Sequence, residues 1–123
     1  FFFSLTRPFE ILSGLVGSEM CIRDRLLGAH GAIGSSYNFA APLYRRLIQA
    51  FQEGDLSLAR RLQYTSSRMV SNLSEKGYLS ATKQLMRIHG WDLGPTRPPL
   101  TPLEPSVGDA VNQAIEKMLS EAC

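Results

Sequence analysis

From Leu43 onward the apolar positions of the chain fall at helical spacing. Leu43, Tyr44, Leu47, Ile48 and Phe51 recur at i, i+1, i+4, i+5 and i+8, with Arg45, Arg46, Gln49 and Gln52 on the opposite face. Asn38 is the expected cap of this helix, Pro42 belongs in its first turn, and Gly54 is its stop. Asp55 then opens a second helix over about 56–76, with Leu58, Leu62, Thr65, Met69 and Leu73 as its buried stripe. Arg60, Arg61 and Arg68 face away from that stripe and read as a solvated surface. Gly77 closes it. Ser80 is expected to cap a third helix over 81–89, with Leu85 and Ile88 inward and Gly90 as the stop. His89 in its last turn suits the helix dipole and needs no catalytic role. A last helix starts at Pro105 or Ser106 and keeps Val107, Val111, Ala114, Ile115 and Met118 on one face.

Two stretches break this pattern. Residues 91–105 hold five prolines, and the Pro98-Pro99 pair forbids helix. Trp91, Leu93, Leu100 and Leu103 are the expected anchors of a strap across a helical surface. A free-standing proline-rich ligand is the alternative. Residues 28–38, Gly-Ala-His-Gly-Ala-Ile-Gly-Ser-Ser-Tyr-Asn, place a glycine at every third position and end in hydroxyls. Gly28 stops a short helical turn that begins at Arg25, a strand follows over about 31–36, and its polar tip leads into the first long helix. One strand alone leaves an unpaired edge. Such a piece buries its apolar face only against a larger structure.

Residues 1–24 behave differently from the rest. Arg7, Pro8 and Glu10 interrupt the apolar opening, there is no basic leader and no small-x-small cleavage site, and no apolar run approaches the ~18 residues of a membrane helix. Residues 16–25, Val-Gly-Ser-Glu-Met-Cys-Ile-Arg-Asp-Arg, resemble a translated sequencing adaptor. The expectation is that 1–24 is a non-native segment.

Composition narrows the function classes. The 123 residues are 44% hydrophobic and 20% charged, with a formal net charge of +2. The basic residues are dispersed without aromatic interleaving, which argues against nucleic acid and anionic membranes as partners. Cys21 and Cys123 belong to no paired motif, and His30 and His89 complete a poor ligand set. No metal, cofactor or disulfide framework is expected, and the cysteine usage fits a reducing, cytoplasmic setting.

The chemistry-bearing candidates lie in residues 28–38. Their glycines read G-x-x-G-x-x-G rather than G-x-G-x-x-G, and no Gly-Lys-Ser/Thr follows, so a phosphate-cradling loop is disfavoured. Two readings remain on the residues alone. One is close packing of strand on helix with no ligand; the other is a substrate-facing tip.

Residues 31–38, Gly-Ala-Ile-Gly-Ser-Ser-Tyr-Asn, resemble the eighth-strand motif of the N-acetylneuraminate lyases, commonly Gly-x-Ile/Val-Gly-Ser-Thr-Tyr-Asn. These belong to the dihydrodipicolinate synthase superfamily of pyruvate-dependent aldolases. The resemblance runs from about Leu26 to Leu119, through Phe51-Gln52-Glu53-Gly54-Asp55 and Pro95-Thr96-Arg97-Pro98-Pro99-Leu100. Ser36 stands where Thr is usual and His30 where Asp is frequent. The resemblance implies an α/β fold, here the C-terminal fragment of a (β/α)8 barrel, which needs roughly 250 residues when complete. Residues 25–54 would be the last barrel strand and its helix, and 55–123 a helical extension with the connector at 91–105.

The chemistry implied is cleavage of a sialic acid or related sugar acid to pyruvate and an aldehyde sugar through a lysine Schiff base. That lysine, the proton-relaying tyrosine and the Gly-Thr/Ser-Thr/Ser-Gly-Glu motif that holds pyruvate have no counterpart here. Lys76, Lys83 and Lys117 fall in helical patterns beyond the barrel, and Tyr37 follows its last strand. The fragment by itself is therefore expected to be inactive, with no catalytic residue of its own. Ser35 matches the family's substrate-contacting serine, and Ile33 and Gly34 would line the pocket beside it. The expected partners are the sugar acid and pyruvate, and a homo-oligomer for the full-length enzyme. The alternatives are a dihydrodipicolinate synthase-like enzyme acting on another 2-keto acid, or a small non-catalytic helical interaction module.

Overall fold

The computed structural model describes residues 21–31 and 33–122, and the regular structure among them is helical. The chain forms two compact units, Phe1–Ser67 and Arg68–Cys123. Five helices follow in order: α1 (Cys21–Leu26), α2 (Tyr37–Gln52), α3 (Leu56–Glu75), α4 (Tyr78–Ile88) and α5 (Pro105–Ala122). Helix α3 is continuous through the boundary between the units. The expected non-native segment lies outside the described residues as far as residue 20, and α1 begins within its last four positions.

In the first unit α1 ends where Gly28 was expected to stop it, and the Gly28 N–H bonds the Arg25 carbonyl at 3.1 Å. The strand expected over 31–36 is not present among the described residues. Gly31, Ile33 and Gly34 have no regular structure and Ser35-Ser36 form a turn. A strand exists only through ladder bonds to a neighbour, and no second strand is present among the described residues to supply them.

Helix α2 starts earlier than its sequence suggests, with Ser36 rather than Asn38 at the cap position. Ala40 departs from helical geometry at φ −114°, ψ 23°, where two helical stretches meet at a kink. Pro42 explains the break, since its ring clashes with the carbonyl one turn behind it, at Asn38, and it donates no N–H. Relative to the main stretch that follows the kink, Pro42 does sit in a first turn.

The exit from α2 is built by glycine. The Gly54 N–H bonds the Phe51 carbonyl at 3.2 Å, and Gly54 takes φ +81°, a conformation that costs a side-chain-bearing residue energy, which turns the next residue back toward the helix. The Asp55 N–H then reaches the Ala50 carbonyl at 2.9 Å, completing a Schellman stop. Asp55 caps α3 as expected, its Oδ1 accepting the Leu58 N–H at 2.9 Å. The core of this unit draws on Phe39, Leu43, Tyr44, Leu47 and Ala50 of α2 and on Ala59 and Leu62 of α3. Each fully buried leucine is worth ~1.5–3 kcal/mol. The buried stripe of α3 runs through Ala59, Leu62, Ser66, Met69 and Leu73, with Leu58 and Thr65 at its half-buried margins. The stripe is thus centred one position from the expected one at its start, and Arg60, Arg61 and Arg68 are exposed as expected.

In the second unit α4 packs on α5. Ala81 and Leu85 of α4 and Val111 and Ile115 of α5 are buried. A Cβ added at Gly108 would stand 3.4 Å from Gln84 Cγ, so the absence of a side chain there admits the neighbouring helix. Ile88, expected inward, is 46% exposed. Ser80 is not a cap: Gly77 holds that position, and Ser80 is buried two residues inside α4. The stop at Gly90 holds, with bonds from Gly90 to Arg87 and from Trp91 to Met86. The surface pair Lys117–Glu121, at 4.0 Å and well exposed, adds little to this burial.

Candidate functional site

The three residues singled out from the sequence, Ile33, Gly34 and Ser35, are consecutive and form the approach to α2. Ile33 is 99% exposed, Gly34 half-buried and Ser35 exposed. Their backbone is held by the first turn of α2: the Tyr37 N–H bonds the Gly34 carbonyl and the Asn38 N–H bonds the Ser35 carbonyl, each at 3.2 Å. Ser35 thus lies exposed on a turn in which its own carbonyl and that of Gly34 are both engaged.

The next residue points the other way. Ser36 is 1% exposed, and its Oγ accepts the Tyr44 hydroxyl hydrogen at 2.9 Å. Tyr44 in turn accepts from Ser66 Oγ at 3.0 Å. Its ring lies 4.3 Å from that of Tyr37, tilted by 47°. Tyr44 therefore ties the turn to α3 through one buried chain of three hydroxyls. The periodicity identifies Tyr44 only as an apolar position. The signal that marks the chain is a tyrosine in an otherwise aliphatic stripe, together with a serine at the centre of the α3 stripe. A buried hydroxyl needs a partner, because leaving it unpaired costs ~1–3 kcal/mol.

The second unit has a cleft of about 210 Å³ beside α4, lined by Ser80, Lys83, Gln84, Arg87, Asp92 and Thr96 among others. Its polar groups bind the connector. Lys83 Nζ donates to the Leu93 and Pro95 carbonyls, both at 3.0 Å. Ser80 Oγ donates to the Thr101 carbonyl at 2.8 Å and lies 3.3 Å from Thr96 Oγ1. Asp92 accepts the Gly94 N–H at 2.9 Å and stands 3.7 Å from Arg87 Nε. The connector is therefore a strap, but polar groups fasten it. Trp91, Leu93 and Leu100, the expected anchors, are all about half exposed or more, and Leu103 is half-buried. Lys117 is exposed on α5, and Lys76, expected in a helix, is exposed in the turn just past the end of α3 at Glu75.

Among the described residues no three His, Cys, Asp or Glu side chains gather as a metal site would require. No helix among them is long and apolar enough to cross a membrane.

A sequence profile of the Dihydrodipicolinate synthetase family matches residues 4–118. The chain is 34% identical over 102 residues to an N-acetylneuraminate lyase of Rhizobium meliloti, covering 83% of this chain and 34% of that protein. It is 38% identical over 94 residues to an N-acetylneuraminate lyase of Gallus gallus, covering 75% and 30%. Among solved structures, the Proteus mirabilis N-acetylneuraminate lyase superposes with a TM-score of 0.78 at 32% identity, over 83% of this chain and 35% of that one. The Aliivibrio salmonicida N-acetylneuraminate lyase gives 0.76 at 30% identity, over 81% and 33%. The chain spans about a third of the length of the curated relatives it matches.

Proposed function

The chain belongs to the dihydrodipicolinate synthetase family, and on that premise we propose that it is the C-terminal portion of an N-acetylneuraminate lyase-like aldolase. The complete enzyme would cleave a sialic acid or related sugar acid to pyruvate and an aldehyde sugar. The observation that carries this reading is the agreement of backbone and sequence, at a TM-score of 0.78 and 32% identity, with a solved N-acetylneuraminate lyase. In this reading residues 31–36 become the eighth strand once a neighbouring strand offers its ladder, and 25–54 are that strand and its helix. Residues 55–123 form the extension beyond the barrel. Ser35 then lies at the C-terminal end of a barrel strand, where such folds carry their chemistry. Its hydroxyl both donates and accepts, which suits the hydroxyls of a sugar acid, while Gly34 and Ile33 flank the substrate. The Schiff-base lysine and the pyruvate-holding motif belong to the remainder of the barrel. A homo-oligomeric, cytoplasmic enzyme without metal or cofactor completes the proposal.

The test is to express the continuous reading frame that contains this segment and measure pyruvate release from N-acetylneuraminate. Stoichiometric release of pyruvate and N-acetylmannosamine is the expected result. A frame without a lysine-bearing barrel upstream, or a full-length product that releases no pyruvate, would overturn the reading.

A further inference from the structure

We propose that the cleft beside α4 is a binding site for a small organic carboxylate with an apolar body, held by Arg87 and Gln84. The site lies apart from the candidate substrate contact. It uses none of residues 31–36, and every residue in it falls within Arg68–Cys123. At about 210 Å³ the cleft has room for a small organic acid.

The polar groups of the cleft divide into two sets. Ser80, Thr96 and two hydrogens of Lys83 are spent on the connector. Arg87 and Gln84 are not. The nearest carboxylate to Arg87 is Asp92, and at 3.7 Å from Nε it is too far for a hydrogen bond. The Gln84 amide makes no hydrogen bond among the described residues, yet it is half-buried and lies along the bare backbone of Gly108. Packing therefore fixes a donor that no protein acceptor uses. Residues 84 and 87 stand at i and i+3 on α4, so the two donor groups share a helix face.

Charge selects the ligand's sign. Lys83 and Arg87 oppose the single carboxylate of Asp92, and the carbonyls bound by Lys83 do not cancel its charge. The cleft is thus left one positive charge in excess. A planar carboxylate matches the fork of a guanidinium and can take a further bond from an amide. Pro95, Pro102 and Leu103 complete the lining with apolar surface, which suits a hydrocarbon body. Asp92 is the built-in competitor. Its Oδ1 already accepts the Gly94 N–H, so it draws near Arg87 without bonding it. An incoming carboxylate meets Arg87 at hydrogen-bond length.

The experiment uses the protein expressed whole from the continuous reading frame, so that any surface covered there is covered in the test. Phenylglyoxal modifies exposed arginines, and peptide mass mapping reads its rate at Arg87, with exposed Arg60 and Arg61 as internal controls. Isobutyrate, at constant ionic strength, should slow modification of Arg87 saturably, with half-protection at about 1–10 mM. Acetate should need at least about threefold more, because it lacks the methyl groups that would lie on the apolar lining. The neutral isostere isobutyramide should not protect. Gln84→Met should raise the half-protecting concentration about 3- to 10-fold by removing one donor. Asp92→Asn keeps an oxygen for Gly94 and removes the competing charge, so it should lower that concentration about 2- to 5-fold. A variant that failed to fold could not produce this gain. No protection of Arg87, equal protection of Arg60 and Arg61, or equal protection by isobutyramide would overturn the site. Inorganic phosphate protecting at lower concentration than isobutyrate would overturn the assignment to a carboxylate. Values in Gln84→Met and Asp92→Asn unchanged from wild type would overturn the roles given to those residues.

Discussion

Lys83 Nζ lies 3.0 Å from the carbonyl oxygen of Leu93, ten residues further along the chain and beyond a helix stop. With a second bond to Pro95, two of its three hydrogens hold the connector against α4. Lys83→Met keeps most of the aliphatic stem and removes both bonds. It should lower unfolding stability by about 1 kcal/mol, since each bond is partly offset by water in the unfolded chain. The urea midpoint should fall with an unchanged slope, and proteolysis near Leu93 should quicken. Unaltered cleavage at the connector would show that Lys83 does not fasten it.

The same geometry bears on reactivity. Lys83 is committed to carbonyls, Lys76 is exposed in the turn after α3, and Lys117 is exposed on α5. Incubation of this chain with pyruvate and borohydride should give no stoichiometric adduct by intact mass. One adduct per chain at any of the three lysines would assign it the nucleophile's role.

Ser35→Ala in the full-length enzyme tests the proposed substrate contact. Losing one neutral hydrogen bond in a buried complex costs roughly 1–2 kcal/mol. Efficiency with the sugar acid should therefore fall about 5- to 30-fold. Borohydride trapping of pyruvate should stay at the wild-type level, because Ser35 is proposed to touch the sugar end. Equal losses in both assays would remove Ser35 from that role.

Asp55 offers a purely structural control. Asp55→Ala deletes the carboxylate that accepts the Leu58 N–H at 2.9 Å and should cost about 1 kcal/mol. The melting midpoint should drop by about 3–6 °C in calorimetry. Asp55→Asn should recover most of that loss, since an amide oxygen also accepts the bond. A loss in Asp55→Asn as large as in Asp55→Ala would identify charge rather than capping as the source.

The helices were legible because each carries its own period and punctuation. Leu43, Tyr44 and Leu47 define a face, Asp55 a cap, and Gly54 and Gly90 two stops, all from local chemistry. What failed depended on residues far away in sequence. Ser80 reads locally as a cap, but the connector recruits its hydroxyl for Thr96 and Thr101. Ser66 reads as polar and falls outside the expected stripe, because it is Tyr44, 22 residues earlier, that makes its burial favourable. Leu93 and Leu100 read as anchors, yet prolines and the helix stop at Gly90 set a backbone path that polar atoms can hold more closely than apolar ones. The strand over 31–36 has the composition of one and lacks the neighbour that makes one. The motif of Ile33, Gly34 and Ser35 was recognised as a pattern of residues, while the hydroxyl chain behind it became visible only in three dimensions.

Trp91 is the only tryptophan in the chain, stands 64% exposed at the start of the connector, and follows the stop at Gly90. The protein therefore carries a built-in optical reporter at one defined place. In this chain its fluorescence should be red-shifted and open to quenching by iodide. Covering of the connector in a larger assembly would move the emission to the blue and shut the quencher out, with no label attached.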